Sequence, residues 1–426
     1  MRYDVLVVGG GFGGAFAARR LEKVLRRSSK RSLLVAPENF MLFSPLLPEA
    51  ASGTLEPRHA VIPLRTLLRS TDLLIGETTA FDASAHKAQV TDLNGDLHHV
   101  EFESAILSPG SIPTTFPIPG LLDNAVGFKT LPDAIWLRNR VLHQIDAAAA
   151  ATDPELRRAL LTFTFVGGGY AGVEAIAELE SLSRDAMRLY PGLDISQSRW
   201  VLIEAASTLL PGLHPELAGF SLRVLRKRGI EVFLDTRLVS CVDKRVTLSP
   251  ARADPYLSET IVWTAGQRPR PVGEEWGLPV VKGGSVPVDR MMQVEGHPGI
   301  YAIGDFAAVP DPEGGMSPKT AQHALRQAKV AAENAASYLG VGNGREYTYR
   351  NRGLAVTLGK WQGTAQVRSL TFTGPLAWWM GRSYHLLMMP TLARKARVVS
   401  DWTLALLFPR DVSQLGRLGA PTPLES

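Results

Sequence analysis

The 426-residue chain has a single cysteine, Cys241. That scarcity excludes a disulfide framework, a Cys-x-x-Cys redox pair and a cysteine-ligated iron–sulfur cluster. A reducing compartment is the simplest setting for such a chain. Long apolar runs are missing too. The most hydrophobic stretch, 376–407, is broken by Arg382, His385, Arg394, Lys395 and Asp401, so it falls short of the roughly 20 apolar residues that a spanning helix needs. The first strand is expected almost at Met1, which leaves no room for a targeting leader. Neither sign of charge dominates: 46 Lys and Arg against 41 Asp and Glu give a net charge of +5. This mild excess suits either an anionic surface such as phospholipid headgroups or plain solubility, and no nucleic acid is expected. Histidines are scattered and the His98–His99 pair has no partner at ligand spacing, so no metal is expected.

What the chain does contain is an ordinary folded composition, 45% hydrophobic and 20% charged, over a length that suits two or three domains. Its distinctive feature is a repeated glycine pattern. Residues 162–166 alternate in β fashion and run into Gly167, Gly169 and Gly172, after which 175–179 read as helix. The same arrangement occurs at the start, where Tyr3–Val8 is a buried strand of parallel type and leads into Gly9, Gly11 and Gly14. Strand, G-x-G-x-x-G turn and helix together form the dinucleotide fingerprint. The first glycine permits the turn, the second admits a pyrophosphate, and the third lets helix and strand pack closely. The helix N-terminus then offers free N–H groups to the phosphates. Two such motifs are far stronger than one; the bland reading is a pair of ordinary glycine turns.

An acidic residue at the end of the following strand normally accepts the ribose hydroxyls. After the first motif that position is Ala36, with Glu38 as a candidate substitute. After the second it is Glu204, at longer than usual spacing because the intervening helix reads as extended through Tyr190–Pro191. A carboxylate there accepts from NADH and repels the 2′-phosphate of NADPH, so NADH is the expected ligand. The alternative for Glu204 is a solvated strand end.

Elsewhere, Asn39–Leu47 reads as a loop with exposed aromatics. Strands are expected at 72–79, 87–92, 98–102, 104–110, 199–203, 231–234, 260–266 and 299–305, and helices at 15–27, 132–151, 215–228 and 320–338. The basic residues Arg19, Arg20, Lys23, Arg26 and Arg27 read as a solvated helix face.

With GGGFGG, NFMLFSPLLPEAASGTLEP, VGGGYAGVEAIAEL, IYAIGDFA, PKTAQHALRQA and an aromatic tail in place, the chain resembles the type II, single-subunit NADH:quinone oxidoreductases over nearly its whole length. The resemblance implies an α/β fold of two Rossmann-like domains in a glutathione-reductase-like arrangement. The FAD domain would be split into 1–112 and 269–340, with an NADH domain at 113–268 and an amphipathic C-terminal region at 341–426. It implies FAD on Gly9, Gly11, Phe12, Gly13, Gly14, Glu38, Thr78, Ser108, Gly110, Gly304, Asp305 and Ala321. NADH would sit on Gly167, Gly169, Tyr170, Gly172, Glu204, Ala265 and Gly266. Asp305 would hold the ribityl chain, and Ala321 and Gln322 would lie by the isoalloxazine ring, where quinone docks beside His323 and Arg326. Glu174 and Lys360 are the further candidates, Glu174 to orient the nicotinamide or relay protons and Lys360 to face the flavin edge. For Glu174 the bland alternative is a helix-N-terminal carboxylate favoured by the dipole, for Lys360 a surface lysine, and for His323 a packed core histidine.

The chain departs from the family at Ala36, at Ser108-Pro109-Gly110 in place of an Ala-Thr-Gly turn, and at Arg326 in the Ala-Gln-x-Ala-x-Gln-Gln pattern. In the tail, Trp378, Trp379 and Trp402 beside basic residues suit helices lying in the headgroup plane, or a homodimer contact. The expected place is the cytoplasmic face of a membrane. A soluble ferredoxin or rubredoxin reductase or diaphorase is the main rival, and a catalytically silent flavoprotein sensor the second. The lone cysteine excludes a disulfide reductase and disfavours a sulfide:quinone oxidoreductase.

Overall fold

Val5, Leu6 and Val7 are completely buried and Val8 nearly so, because the strand they form, Arg2–Val8, is covered on both faces. The computed structural model describes residues 1–349 and 353–414. It divides into two units, one of Met1–Phe43, Val61–Ile112 and Gln267–Asn351, the other of Ser44–Ala60, Pro113–Gly266 and Arg352–Ser426.

In the first unit, strands Asp72–Asp82, Ser32–Ala36, Arg2–Val8, Leu97–Leu107 and Ile300–Ala302 lie side by side and parallel. Strand Lys87–Asp92 runs antiparallel to both Asp72–Asp82 and Leu97–Leu107. Helix Phe12–Val24 packs against helix Ala321–Tyr338. Buried alanines on both, including Ala15, Ala18, Ala328, Ala331 and Ala335, allow a close approach.

Two expectations fail in this unit for physical reasons. The strands expected at 98–102 and 104–110 are one strand, Leu97–Leu107. Its first half alternates because it faces water on one side, and its second half is buried on both. The expected loop 39–47 holds a strand, Phe40–Leu42, paired with Val61–Pro63. Met41 and Phe43 are fully buried rather than exposed, and Phe43 meets the Phe12 ring at 5.4 Å.

The second unit has a wholly parallel sheet in the order Ile230–Phe233, Arg199–Ile203, Thr162–Val166, Thr260–Trp263, Ala125–Gly127. Helix Tyr170–Met187 follows the glycine turn. It stops before Tyr190, so the long spacing to Glu204 comes from the short segment 188–198, not from a longer helix.

The C-terminal residues cluster with this second unit. Strands Gly353–Thr357, Gly363–Val367 and Leu370–Thr373 form an antiparallel sheet, followed by helices Gly374–Met388 and Leu392–Leu407. Trp378 and Trp402 point inward and flank the Arg382 guanidinium at 3.9 and 4.8 Å. Arg382 is 4% exposed and pairs with buried Glu49 at 3.1 Å. It therefore is not one of the solvated basic residues the tail pattern suggested. Leu376, Trp379, Leu387, Leu392, Leu404 and Leu407 remain exposed. Among the described residues no helix is long and apolar enough to cross a membrane.

Candidate active site

The first turn is built by backbone crowding. Gly9 has φ of +103°, and a Cβ there would lie 2.1 Å from the Ser108 carbonyl oxygen. A Cβ on Gly14 would lie 1.8 Å from the Gly9 carbonyl oxygen. At Gly11 the equivalent space is open. Gly11 caps helix Phe12–Val24 with no side-chain hydrogen bond, and the first helical turn carries no acid, so its leading N–H groups are uncommitted. Gly13 and Gly304 both face the Ser108 hydroxyl, their Cβ positions 2.2 and 3.5 Å from it. Gly9, Gly13, Ser108 and Gly304 are thereby brought together. Asp305 follows, its carboxylate accepting from the Ser111 hydroxyl at 2.6 Å. Gly304 donates its N–H to the Gln327 side chain at 2.8 Å. Gly110 sits in a left-handed turn at φ +81°. The Thr78 hydroxyl is buried with no partner among the described residues. Ala36 is fully buried, its methyl 2.8 Å from a Cβ placed on Gly10, while Glu38 is exposed.

The second turn repeats the construction. Gly167 has φ of +117°, and a Cβ on Gly172 would lie 2.0 Å from the Gly167 carbonyl oxygen. Gly169 is open and caps helix Tyr170–Met187 without a side chain. Glu204 differs from Ala36 in what it supplies. One carboxylate oxygen accepts from Gly168 N–H at 2.5 Å and the other from Ala206 N–H at 2.7 Å. With about four lone-pair sites, a carboxylate so fixed keeps acceptor capacity for a ribose. Ala265 and Gly266 close over the turn, and the Ala265 N lies 2.7 Å from a Gly167 Cβ position. The Tyr170 hydroxyl donates to Pro211 C=O at 3.3 Å, and burial pushes its pKa up to about 12.

Glu174 sits one turn into the same helix. Its carboxylate accepts both the N–H and the hydroxyl of Thr357, at 2.8 and 3.1 Å. Burial pushes its pKa up to about 8 against those two hydrogen bonds, helped by the charges of Glu49 and Glu178. Lys360 is three residues beyond Thr357 and exposed; its ammonium donates to the Ala405 carbonyl at 3.4 Å.

Gln322, His323 and Arg326 lie on the first turn and a half of helix Ala321–Tyr338, whose N-cap is Thr320. The Tyr349 hydroxyl donates to Gln322 Oε1 at 3.1 Å, and the Arg326 guanidinium lies 5.0 Å from the Tyr349 ring centroid. His323 is 1% exposed, with Nδ1 at 2.9 Å from the Tyr347 hydroxyl. Burial pushes its imidazole pKa down, and its Nε2 is buried with no partner among the described residues.

Four residues escaped the sequence reading. Thr264 donates to Val166 and Gly167 carbonyls at 3.0 Å each and locks the second turn. Thr357, Tyr349 and Ser111 fix Glu174, Gln322 and Asp305. Their partners lie 27 to 194 residues away in sequence, and only the folded chain pairs them.

The chain is similar to known proteins along most of its length. Residues 3–328 match the model of the pyridine nucleotide-disulphide oxidoreductase family. A type II NADH:quinone oxidoreductase of Mycobacterium tuberculosis is 29% identical over 423 residues, covering 96% of this chain and 89% of that protein. A protein of the same name from Staphylococcus epidermidis is 27% identical over 380 residues, covering 88% and 92%. Among solved structures, NDH2 of Plasmodium falciparum in complex with NADH superposes with a TM-score of 0.87 at 17% identity, covering 97% of this chain and 100% of that one. The chain belongs to the pyridine nucleotide-disulphide oxidoreductase family, and the relatives it matches along its length include the type II NADH:quinone oxidoreductases.

Proposed function

We propose that the protein oxidises NADH and reduces a membrane quinone through FAD, without translocating protons. NADH oxidation with quinone reduction is what the named relatives support. The observation that carries the finer reading is the doubled turn: two uncapped helix N-termini, each behind an open second glycine, with an acid at the strand end of only the second. Both turns fit a pyrophosphate, since the space at the second glycine is open, while a side chain at the first or third would strike backbone and distort the turn. FAD is assigned to the first turn, where Gly9, Gly11, Gly13 and Gly14 would meet the phosphates and Asp305 the ribityl hydroxyls. NADH is assigned to the second, with Glu204 on the adenosine ribose.

A bound flavin would supply the two-electron relay. The chain's own work is alignment and proton placement. Glu174, held by Thr357, carries a proton near neutral pH and is proposed to orient the nicotinamide or pass that proton on. Gln322 is proposed to hydrogen-bond the quinone. The exposed apolar residues of helices 374–388 and 392–407 are proposed to rest in a membrane surface, on its cytoplasmic face, with a homodimer as an accompanying expectation.

The test is anaerobic stopped-flow reduction of the yellow holoprotein by NADH and by NADPH, followed by reoxidation with added quinones. NADH should reduce the flavin faster, and quinone should reoxidise it faster than oxygen does. Faster reduction by NADPH overturns the assignment of Glu204. Quinones no faster than oxygen overturn the acceptor.

A further inference from the structure

Arg326 replaces a glutamine of the family pattern, and its surroundings give that change a chemical meaning. It lies four residues after Gln322 on one helix, so the two side chains share a face. Both converge on Tyr349, Gln322 through the hydroxyl and Arg326 over the ring. Arg326 is half-buried, and among the described residues it has no carboxylate and no hydrogen-bond acceptor. The charge beside it is mostly of its own sign: the Lys329 ammonium is pushed down by burial and then by Arg326, Arg20 and Arg345, against the opposing pull of Glu333. A half-buried guanidinium without a counter-anion is unfavourable, and among the described residues the Tyr349 ring face is what offsets it.

We propose that Arg326 is an anion-holding residue of the acceptor site, pairing with the oxygen on which negative charge develops as quinone is reduced, and that Tyr349 is the platform that positions both Arg326 and Gln322. The inference rests on the quinone reading above. The electron count requires an anion. NADH gives up a hydride, two electrons and one proton, and becomes NAD⁺. Quinone receiving that equivalent gains one O–H bond and leaves its second oxygen as an oxyanion, until a proton from water completes the hydroquinone. A guanidinium stays charged throughout and donates charge-assisted hydrogen bonds to such an oxygen. A glutamine offers only a neutral amide. His323 is a poorer source of that charge, because its Nδ1 is engaged by the Tyr347 hydroxyl and burial disfavours the charged imidazole. The preferred acceptors are therefore quinones whose reduced or resting form carries negative charge beside the carbonyl.

The experiment uses the flavin-loaded protein and two probes, 2-hydroxy-1,4-naphthoquinone, an anion at neutral pH, and the neutral parent 1,4-naphthoquinone. Calorimetric affinities for both are compared in wild type, R326Q, R326K, Y349F and Y349L. Stopped-flow rates of reduction by NADH and of reoxidation by quinone are measured alongside. Wild type should bind the anionic probe more tightly than the neutral one. R326Q should lose that preference and slow reoxidation relative to reduction by about ten- to a hundredfold, the worth of a hydrogen bond to a charged group. R326K should keep most of the probe preference. Y349F, which retains the ring under Arg326, should keep it too, and Y349L should lose part of it. Wild-type probe ratios in R326Q overturn the inference. Should R326Q not fold, equal probe ratios in wild type and Y349L overturn it instead. A wild type that no quinone reoxidises overturns the quinone reading itself, an outcome separate from either.

Discussion

The two glycine turns share a backbone and differ in one carboxylate. Gly9 and Gly167 both take positive φ, Gly14 and Gly172 both face the carbonyl of the first glycine, and Gly11 and Gly169 are both open. At the following strand ends, however, a buried methyl of Ala36 faces Gly10, while the Glu204 carboxylate accepts from Gly168 N–H. The shared part is what any dinucleotide pyrophosphate needs. The unshared part distinguishes the ligands: a carboxylate discriminates at the 2′ position, and a methyl does not. On the proposed assignment, the first turn would hold its cofactor without a strand-end carboxylate, and the second would select its cosubstrate by charge.

The largest effect should come from breaking the shared backbone. Gly9→Ala and Gly167→Ala each force a Cβ against backbone at positive φ, costing about 3 kcal/mol of stability from overpacking alone. Thermal unfolding should register both, but the ligand losses should differ. G9A is expected to purify without yellow colour, and G167A to keep the colour and lose reduction by NADH. Identical losses in the two variants would erase the division of labour.

Removing the unshared carboxylate comes next. Glu204→Ala should raise the KM for NADH about ten- to a hundredfold, as expected for a charge-assisted hydrogen bond, and should narrow the gap to NADPH. Steady-state kinetics with both nucleotides checks this, and an unchanged ratio breaks the comparison.

A pH experiment isolates the second turn's helix. Burial raises the folded-state pKa of Glu174 from 4.5 to about 8. The sign follows directly: protonation favours the fold, so this stability is present in full below about pH 4.5 and is lost as pH rises through about 8. Glu174→Gln should therefore gain stability relative to wild type between those limits in denaturant titrations. Parallel curves would show that the carboxyl is not desolvated.

The smallest effect belongs to Glu38. It is exposed and stands in for the missing acid of the first turn only if it reaches the adenosine ribose. Glu38→Ala should speed FAD loss severalfold at most, since one solvated hydrogen bond nets about 1 kcal/mol. Flavin fluorescence on dilution measures it. A loss as large as that in E204A would make the two turns equivalent.

Local pattern carried the glycine turns, their flanking strands and helices, and Glu204, because each is set by neighbours within a few residues. The merged strand Leu97–Leu107 was not legible, since its two halves face different surroundings and so show two periodicities. The tail misled for a similar reason. An Arg between tryptophans reads as a headgroup anchor until Glu49, more than 300 residues earlier, is seen to neutralise Arg382 inside the fold.

The sequence by itself determined that this chain carries two dinucleotide fingerprints, because glycine spacing and strand-to-helix order are local constraints on backbone shape. Only the tertiary structure decided which carboxylates are charged and which cations are committed. It buried Glu174 beside Thr357, gave Arg382 a partner and left Arg326 over Tyr349. Desolvation and pairing depend on groups brought together across hundreds of residues, and no local pattern encodes them.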